Sequence, residues 1–257
     1  ETLITAYDRF SAVKYGRPHR RLSARETLRL WPSLRAEGLA GAVSFDEWWV
    51  EPEKLVQANI DSAVGAGAEV RVRTRAVAVL QEGGRVRGVE IEGPDGRRER
   101  LEAGVVLNAA GPWVDRVAAL AGLSIPLRLR QGTHLVYDGR VEAALPALDG
   151  PVGLLLEAEG RDRYVFLIAA PGRTVVGPTD LPCPGDPDAL ASLPDETGHL
   201  LRSARRYFAG LPERWSRLWI GARPILGQAG AEKLLSREFE IIDHGRKGGV
   251  GGFITAA

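Results

Sequence analysis

The stretch Val105-Val106-Leu107-Asn108-Ala109-Ala110-Gly111-Pro112-Trp113 decides the fold of this chain. Its first three residues form a continuous apolar run, which is typical of a strand buried on both faces of a parallel sheet. Residues 110–112 are small or rigid, so the backbone can turn tightly into the helix expected over residues 113–121. Such a turn lets a phosphate or a ring approach bare backbone, although an ordinary strand-to-helix connection has the same pattern.

The composition excludes several classes of protein. At 257 residues and 44% hydrophobic content, the chain can bury one large core or two smaller ones. A net charge of +1 indicates neither a nucleic-acid binder nor an acidic tail. Most of the 34 basic residues are arginines, so any anion site is expected to use arginine. No apolar run reaches the ~18–20 residues that span a bilayer, which leaves contact with a membrane surface open.

Two features of the chain ends predict an internal fragment of a longer protein, cut at both ends. The chain begins at Glu1 and contains no methionine, whereas an open reading frame begins with one. Residues 253–257 have the pattern of a strand that stops without a turn. The single cysteine, Cys183, excludes an internal disulfide, and we expect it to be a bystander in a reducing compartment.

The first half of the chain mixes helices with strands. Helices are predicted at residues 3–13, at 23–31 behind a Ser23–Glu26 capping box, and from Pro52 to the glycines at 65–67. Strands are predicted at residues 43–50, 69–74, 76–81 and 85–92, of which the last three form a meander.

The second half has the pattern of antiparallel strands with one long helix against them. The strands are predicted at residues 127–137, 153–157, 163–169, 174–177, 215–222 and 239–243, and the helix at 195–208. This order favours an α+β layer that closes one side of a pocket.

Candidate chemical groups are few. The glycine clusters at residues 65–67 and 248–252 lack the strand-to-helix context of a phosphate loop, so we predict turns there. No metal-ligand spacing occurs, and no metal is predicted. His134 lies in a predicted strand beside Gly132, Arg223 at a strand end before Pro224, and Arg237 at the start of another strand. A structural role for each of these three stays open on the residues alone.

Taken together, an ordered set of motifs resembles the FAD-dependent glycerol-3-phosphate dehydrogenases, within the D-amino-acid-oxidase-like flavoenzyme superfamily. Each motif alone is weak, but their common order is specific and covers the chain from about residue 20. The motifs are Trp49-Val50-x-Pro52-x-x-Leu55-Val56-x-Ala58-Asn59, Gly67-Ala68-Glu69-Val70, Thr74-Arg75-Ala76, Asn108-Ala109-Ala110-Gly111-Pro112-Trp113-Val114, Gln131-Gly132-Thr133-His134-Leu135-Val136, Val176-Gly177-Pro178-Thr179-Asp180, Gly221-Ala222-Arg223-Pro224 and Ser236-Arg237-Glu238.

The resemblance implies an α+β / α/β fold in which a partial FAD-binding domain, with parallel strands and a β-meander, carries an antiparallel-sheet substrate-binding cap domain. We expect residues 1–50 to be a helical segment of the cap, 51–125 the partial FAD-binding domain, 126–237 the cap and 238–257 the strands returning to the FAD domain. The family's first Gly-x-Gly-x-x-Gly segment and its later Gly-Gly-Lys segment are both absent, which agrees with an internal fragment.

For the cofactor, the resemblance implies that Ala110, Gly111 and Trp113 pass close to FAD. It also implies that the backbone of Ala76 and Val77 lies beside the adenine.

For the substrate, the resemblance places His134 and Arg223 facing the flavin ring, and Arg237 together with Arg223 at the substrate phosphate. Two residues depart from the family pattern. Pro178 stands where threonine is common, which puts a polar contact there in doubt, and Thr133 stands where serine is common.

The implied function is oxidation of sn-glycerol 3-phosphate to dihydroxyacetone phosphate by hydride transfer to FAD, with quinone as the electron acceptor. One alternative is an amino-acid or 2-hydroxy-acid oxidase of the same superfamily. Another is that the fragment is a non-catalytic substrate-binding piece that has lost FAD and dimerises through exposed edges. The parent is expected in the cytoplasm, with peripheral contact to the inner face of the cell membrane left open and no nucleic-acid partner.

Overall fold

A computed structural model describes residues 18–48, 50–139, 141–144, 152–160, 163–170, 172–227 and 239–257. The helices of these residues are α1 (Ala24–Leu30), α2 (Pro52–Gly65), α3 (Val114–Ala119) and α4 (Glu196–Arg205). The strands are β1 (Arg20–Ser23), β2 (Gly41–Ser44), β3 (Arg75–Glu82), β4 (Arg85–Glu92), β5 (Arg98–Glu102), β6 (Val106–Asn108), β7 (Leu127–Asp138), β8 (Val152–Glu157), β9 (Tyr164–Ala170), β10 (Arg173–Gly177), β11 (Leu181–Pro182), β12 (Arg217–Leu226), β13 (Ile241–Asp243) and β14 (Phe253–Ala256).

The described residues divide into two compact units. The first lies within residues 1–56, 133–179 and 191–220, and the second within 57–132, 180–190 and 221–257. Several sheets with few helices confirm the predicted mixed α/β class. The assignment of residues 51–125 and 126–237 to cofactor and substrate domains stays a prediction.

An antiparallel sheet dominates the first unit. Its strands are ordered β11-β7-β10-β9-β8, with β12 on the other side of β7, although β11 and parts of β7 and β12 are counted with the second unit. Helix α4 lies against β8, β9 and β10, and its Leu200 and Ala204 are buried in the core. The ring of Phe208, after α4, lies 6.3 Å from that of Trp31. The indole N–H of Trp31 donates to the Ala144 carbonyl over 3.0 Å, so the core also satisfies its buried polar atom.

Helix α1 begins with the predicted capping box. The Glu26 N–H donates to the Ser23 hydroxyl, and the Ser23 N–H donates to the Glu26 carboxylate over 2.8 Å. Both bonds satisfy donors that the first helical turn leaves without partners. The hydrogen bonds from Ser23 lower the pKa of Glu26, which keeps its carboxylate available as the acceptor.

Two small sheets form the second unit. Strands β3, β4 and β5 make an antiparallel meander, and β13, β14 and β6 make a sheet in which β14 runs parallel to β6. Both pack around one core that contains Val86 of β4, Val114 and Ala118 of α3, and Phe253 of β14. The strand-turn-helix predicted from residues 105–113 is thereby confirmed.

The glycine cluster at residues 248–252 joins these two sheets. The Val86 N–H donates to the Gly251 carbonyl over 2.8 Å, and the Gly251 N–H donates to the Gly84 carbonyl over 2.9 Å. Gly252 has φ +79°, and a Cβ there would lie 2.6 Å from the Gly104 carbonyl oxygen. The cluster is therefore a close-packed turn before a strand, as predicted.

Two strand predictions in the N-terminal half of the chain are wrong. No strand forms at residues 69–74, because the chain turns at Arg73, whose φ is +55°. Strand β5 is the third member of the meander instead. The strand predicted over residues 43–50 ends at Ser44, and Trp49 lies outside the described residues, as does the helix predicted at residues 3–13.

Two further expectations about strand position are also wrong. Strand β6 is not buried on both faces: Leu107 is 62% exposed, because β6 is the edge strand of its sheet and the described residues do not cover that side chain. Arg223 lies inside β12 instead of at its end. Since β12 pairs with β7 alone among the described strands, Pro224 can occupy an edge strand, where its missing N–H breaks no ladder.

The turn after β13 holds a buried histidine against β14. The His244 ring lies 5.6 Å from the Phe253 ring, and its Nε2 lies 2.9 Å from the Thr255 hydroxyl. Burial lowers the pKa of His244, and the positive charge of Lys247 lowers it further.

We expect acid to destabilise the second unit through His244. Below about pH 6.5, the pKa of an unfolded histidine, the unfolded chain takes up a proton that folded His244 resists. The contribution of neutral His244 to the free energy of unfolding is complete above that pH. It falls as the pH drops, and it stops changing below the lowered pKa of the folded state. Urea unfolding of wild type and His244→Gln at about pH 7.5 and about pH 5.5 measures this contribution to the free energy of unfolding. The variant should lose less stability between the two pH values, and an equal loss contradicts the assignment.

Candidate functional site

The turn after β6 is held by the side chain of Asn108. Asn108 is buried; its amide N–H donates to the Val114 carbonyl over 2.8 Å, and its amide oxygen accepts from the Ala110 N–H over 3.3 Å. These two bonds fix the backbone between the strand and α3. The side chain therefore shapes the segment that the sequence predicts at the cofactor, a role that the sequence did not reveal.

Residues 110–112 present a surface of small or rigid side chains. Gly111–Trp113 forms a 3-10 turn with Pro112 near its start, as predicted. Gly111 has φ +55°, and a Cβ placed on it would meet nothing within 4 Å. A residue with a side chain would be strained there, and the backbone stays open to a ligand.

An acidic loop holds Trp113 on this surface. The indole N–H of Trp113 donates to one carboxylate oxygen of Asp188 over 2.9 Å, and Arg116 donates to the other over 2.9 Å. Arg116 also pairs with Asp186 at 2.7 Å. The backbone N–H of Asp188 and the guanidinium of Arg116 lower the pKa of Asp186, so the loop keeps its negative charge.

Strand β3 carries a bulge at the position predicted beside the adenine. Ala76 is paired with Ile91 and Ala78 with Glu90, so Val77 is the extra residue with no Cα partner on β4. A bulge breaks the regular ladder and re-aims the local backbone groups. Ala76 and Val77 belong to the same unit as Ala110, Gly111 and Trp113.

His134 lies on β7 in the first unit, and it is half-buried. Its ring packs against Gly177 at the end of β10, where a Cβ would lie 2.7 Å from its Cδ2 and 2.9 Å from its Cγ. Only glycine leaves this space for the imidazole.

A buried carboxylate lies behind the strand that carries His134. Glu196, the first residue of α4, accepts hydrogen bonds from the hydroxyls of Thr133 and Thr179 and from the Leu193 N–H. The Thr179 hydroxyl accepts in turn from the Thr133 N–H over 2.9 Å. The sequence singled out Thr133 but gave no signal for Glu196.

Of the two predicted arginines, the structure describes Arg223 but not Arg237, and it also describes Arg130 of β7. Arg223 is exposed on β12, in the second unit. Arg130 of β7 is held in that unit by Asp180, whose carboxylate and carbonyl both accept from its guanidinium over 2.6 Å. Arg237 lies outside the described residues. The structure thus gathers the predicted cofactor residues in one unit with Arg223, and describes His134 in the other.

The described residues contain neither a metal-binding cluster nor a membrane-spanning helix. Across the part of the chain that the structure describes, no three histidine, cysteine or acidic side chains gather closely enough to hold a metal ion. Within the same residues, no helix combines the length and the apolar character needed to cross a bilayer. Cys183 is a free thiol.

The tight small-residue turn after a parallel strand and the β-meander in the same unit are the features on which the resemblance to flavin-dependent enzymes predicted a cofactor segment. The family model of the FAD dependent oxidoreductases, DAO, matches residues 1–253, so the chain belongs to this family.

Within the family, the chain is similar to aerobic glycerol-3-phosphate dehydrogenases. It is 28% identical to the Staphylococcus haemolyticus protein over 99% of this chain and 45% of that protein. It is also 28% identical to the Bacillus subtilis protein over 93% of this chain and 43% of that protein. The chain therefore spans less than half the length of these relatives.

Solved structures agree in fold. The glycerol-3-phosphate dehydrogenase of Bacillus halodurans, complexed with FAD, matches with a TM-score of 0.76 and 24% identity, over 91% of this chain and 44% of that one. The glycine oxidase of Bacillus cereus matches with a TM-score of 0.67 and 19% identity, over 99% and 61%. The L-alpha-glycerophosphate oxidase of Mycoplasma pneumoniae, with FAD bound, matches with a TM-score of 0.65 and 19% identity, over 92% and 58%.

Replacing Asn108 by Asp should destabilise the turn after β6. The shape is kept, but the donor to the Val114 carbonyl is lost and a buried charge faces that oxygen. We expect a loss of about 1–3 kcal/mol in the free energy of unfolding, measured by urea titration. Asn59→Asp, the same change at an exposed position of α2, is the control and should cost no more than about 0.5 kcal/mol. Equal losses in both variants would remove Asn108 from its clamping role.

Proposed function

We propose that this chain is part of a flavoprotein that oxidises sn-glycerol 3-phosphate to dihydroxyacetone phosphate and passes the electrons to a quinone. One observation carries the proposal. In a chain of the FAD dependent oxidoreductase family, similar to glycerol-3-phosphate dehydrogenases, Asn108 holds open a turn of small residues at the predicted cofactor segment.

The residues of the second unit fit a flavin cofactor. The open backbone at Gly111 leaves room for a flat ring system, and Trp113 is fixed beside it by Asp188. The bulge at Val77 frees backbone groups of the kind that recognise an adenine edge. When bound, FAD supplies the hydride acceptor, while the protein binds and orients the reactants.

In this proposal the substrate meets side chains that match its chemistry. A phosphate dianion is recognised best by arginine forks, a task assigned to Arg223 and Arg237. The C2 hydrogen of the substrate leaves as a hydride and its hydroxyl proton must be removed. His134 accepts that proton, since imidazole is the side chain best suited to proton transfer near neutral pH.

The acceptor and the location of the whole protein belong to the same proposal. In the whole protein the electrons would pass to a membrane quinone, which requires contact with the cell membrane, and for a cytoplasmic protein that contact is at the inner face. A peripheral association satisfies this requirement without a spanning helix. We therefore place the whole protein in the cytoplasm, bound peripherally to that membrane.

The main alternative is an amino-acid or 2-hydroxy-acid oxidase. Its support is the shared fold with glycine oxidase. Such an enzyme needs an anion site for a carboxylate only, and the pair Arg223 and Arg237 favours a phosphate instead. The isolated chain itself is expected to be a non-catalytic piece, because it contains no Gly-x-Gly-x-x-Gly motif to open a pyrophosphate-binding helix.

We expect the 257-residue chain to bind FAD weakly and the full-length protein to be yellow and active on glycerol 3-phosphate. FAD fluorescence follows the titration, with glycerol 3-phosphate added afterwards. In the full-length enzyme, His134→Asn should lower kcat by about 10²- to 10⁴-fold, the usual contribution of a general base.

Controls separate this function from its alternatives. His199→Asn, on α4, should leave turnover unchanged. Activity on glycine or 2-hydroxy acids, with none on glycerol 3-phosphate, would establish the oxidase alternative. Little loss of turnover in His134→Asn would count against His134 as the base, and tight FAD binding by the isolated chain would show that it holds a complete site.

We also propose that the isolated chain self-associates through the edge of β6. Val105 and Leu107 are exposed beside this edge, which on the described residues pairs only with β14. Unpaired strand edges of this kind form hydrogen-bonded pairs between two copies of a chain. Light scattering should give a concentration-dependent dimer for the chain and a monomer for Leu107→Lys, which puts a charge at the edge. A monomer in both, or an unchanged dimer in the variant, rejects this contact.

A further inference from the structure

We propose that Glu196 is a positioning residue for His134, which it holds in place through Thr133 and Thr179. The inference concerns how the proposed base is oriented, so it rests on the function proposed above. A buried acid on α4 thereby takes part in turnover, a role that neither the family motifs nor the similar proteins indicate.

The carboxylate of Glu196 contacts two threonines. Glu196 is 2% exposed, and its Oε2 accepts from the Thr133 hydroxyl over 3.0 Å. Its Oε1 accepts from the Thr179 hydroxyl, and the Leu193 N–H donates to Oε2 over 2.6 Å. Thr133 is fully buried and Thr179 nearly so. One carboxylate therefore joins β7, the segment after β10 and the start of α4.

Two hydrogen bonds between Thr133 and Thr179 fix the backbone beside the histidine. The Thr133 N–H donates to the Thr179 hydroxyl over 2.9 Å, and the Thr179 N–H donates to the Thr133 carbonyl over 3.1 Å. Because the Thr179 hydroxyl accepts from Thr133 and donates to Glu196, its orientation is fully determined. Both backbone groups of Thr133 are thus held, including the carbonyl of its peptide bond to His134.

These contacts also bear on the position of the His134 imidazole. Adjacent residues of a strand point to opposite faces, so Thr133 faces the buried carboxylate while His134 faces away from it. The ring of His134 packs against Gly177, which lies two residues before Thr179. Glu196 therefore controls both the strand that carries the ring and the segment against which the ring packs.

A purely structural role would not require an acid at this position. A buried carboxyl group costs free energy unless hydrogen bonds satisfy it, whereas an apolar side chain would fill the same space at lower cost. An acid at the first residue of a helix also favours the helix dipole, but that effect needs no contact with Thr133. What the carboxylate adds is a fixed geometry between two strand segments.

The kinetic test uses the full-length, FAD-loaded protein. Glu196→Gln keeps the shape but cannot accept from all three donors, so kcat should fall by about 10- to 100-fold through misplacement of His134. KM for glycerol 3-phosphate should change less than about threefold. Thr133→Val should have the same effect, Thr133→Ser should retain wild-type turnover, and the losses in Glu196→Gln/Thr133→Val should not add.

A variant of the same helix controls for stability alone. The hydroxyl of Ser203, buried on α4, accepts from the Glu159 N–H over 3.0 Å and has no part in the threonine contacts. Ser203→Ala should lower the melting temperature without changing kcat per bound FAD. If Glu196→Gln loses stability as Ser203→Ala does and keeps its kcat, Glu196 is structural only and the inference is overturned.

A second readout is independent of turnover. The chain has four histidines, so the ring signals of ¹⁵N-labelled His134 can be assigned by NMR with His134→Gln. Glu196→Gln and Thr133→Val should shift or split these signals and leave those of His244 in place; unchanged His134 signals would overturn the inference. Shifted signals in a protein inactive on glycerol 3-phosphate would reject the proposed function and retain the positioning role.

Discussion

The parallel pairing of β14 with β6 is the constraint on which the second unit depends. It brings Phe253 beside Val106 and places the fully buried Phe253 ring in the core formed with Val86 and Val114. The turn before β14 also carries Gly251, which bonds to the meander on both sides of Arg85. Helix α3 and the bulged strand β3 pack on the same core. Without the pairing of β14 with β6, the turn after β6 would therefore not be held in position.

The first unit depends on a polar constraint inside an apolar core. Around Leu135, Leu167 and Leu200 the sheet and α4 pack by hydrophobic burial, which sets distance but tolerates small shifts. The carboxylate of Glu196 removes that tolerance at one place, because hydrogen bonds are directional. In the proposal made above, aligning His134 with a substrate needs this precision more than extra stability, which would account for an acid where an apolar residue would fit.

Much of the fold and part of the site could be predicted from the residues. The capping box at Ser23, the helix that begins at Pro52 and the hairpin at Gly83-Gly84 all formed as expected, since each depends on neighbours within a few positions. The strand expected at residues 69–74 did not form, although its alternating Val70 and Val72 have a strand pattern. The chain turns at Arg73 instead, and β5 pairs with β4 as the third strand of the meander, a pairing between segments that local periodicity does not reveal.

The sequence by itself determined the turn at residues 108–113, because small residues and a glycine allow the tight backbone there, including the positive φ of Gly111, and a proline restricts it wherever it stands. It also identified His134 as a candidate, through motifs in a specific order. Only the tertiary structure decided that Leu107 is exposed, that Arg223 lies inside β12, and that Glu196 meets Thr133, which is 63 positions away in the chain. Contacts of that kind exist only after sheet and helix have packed, so no local pattern encodes them.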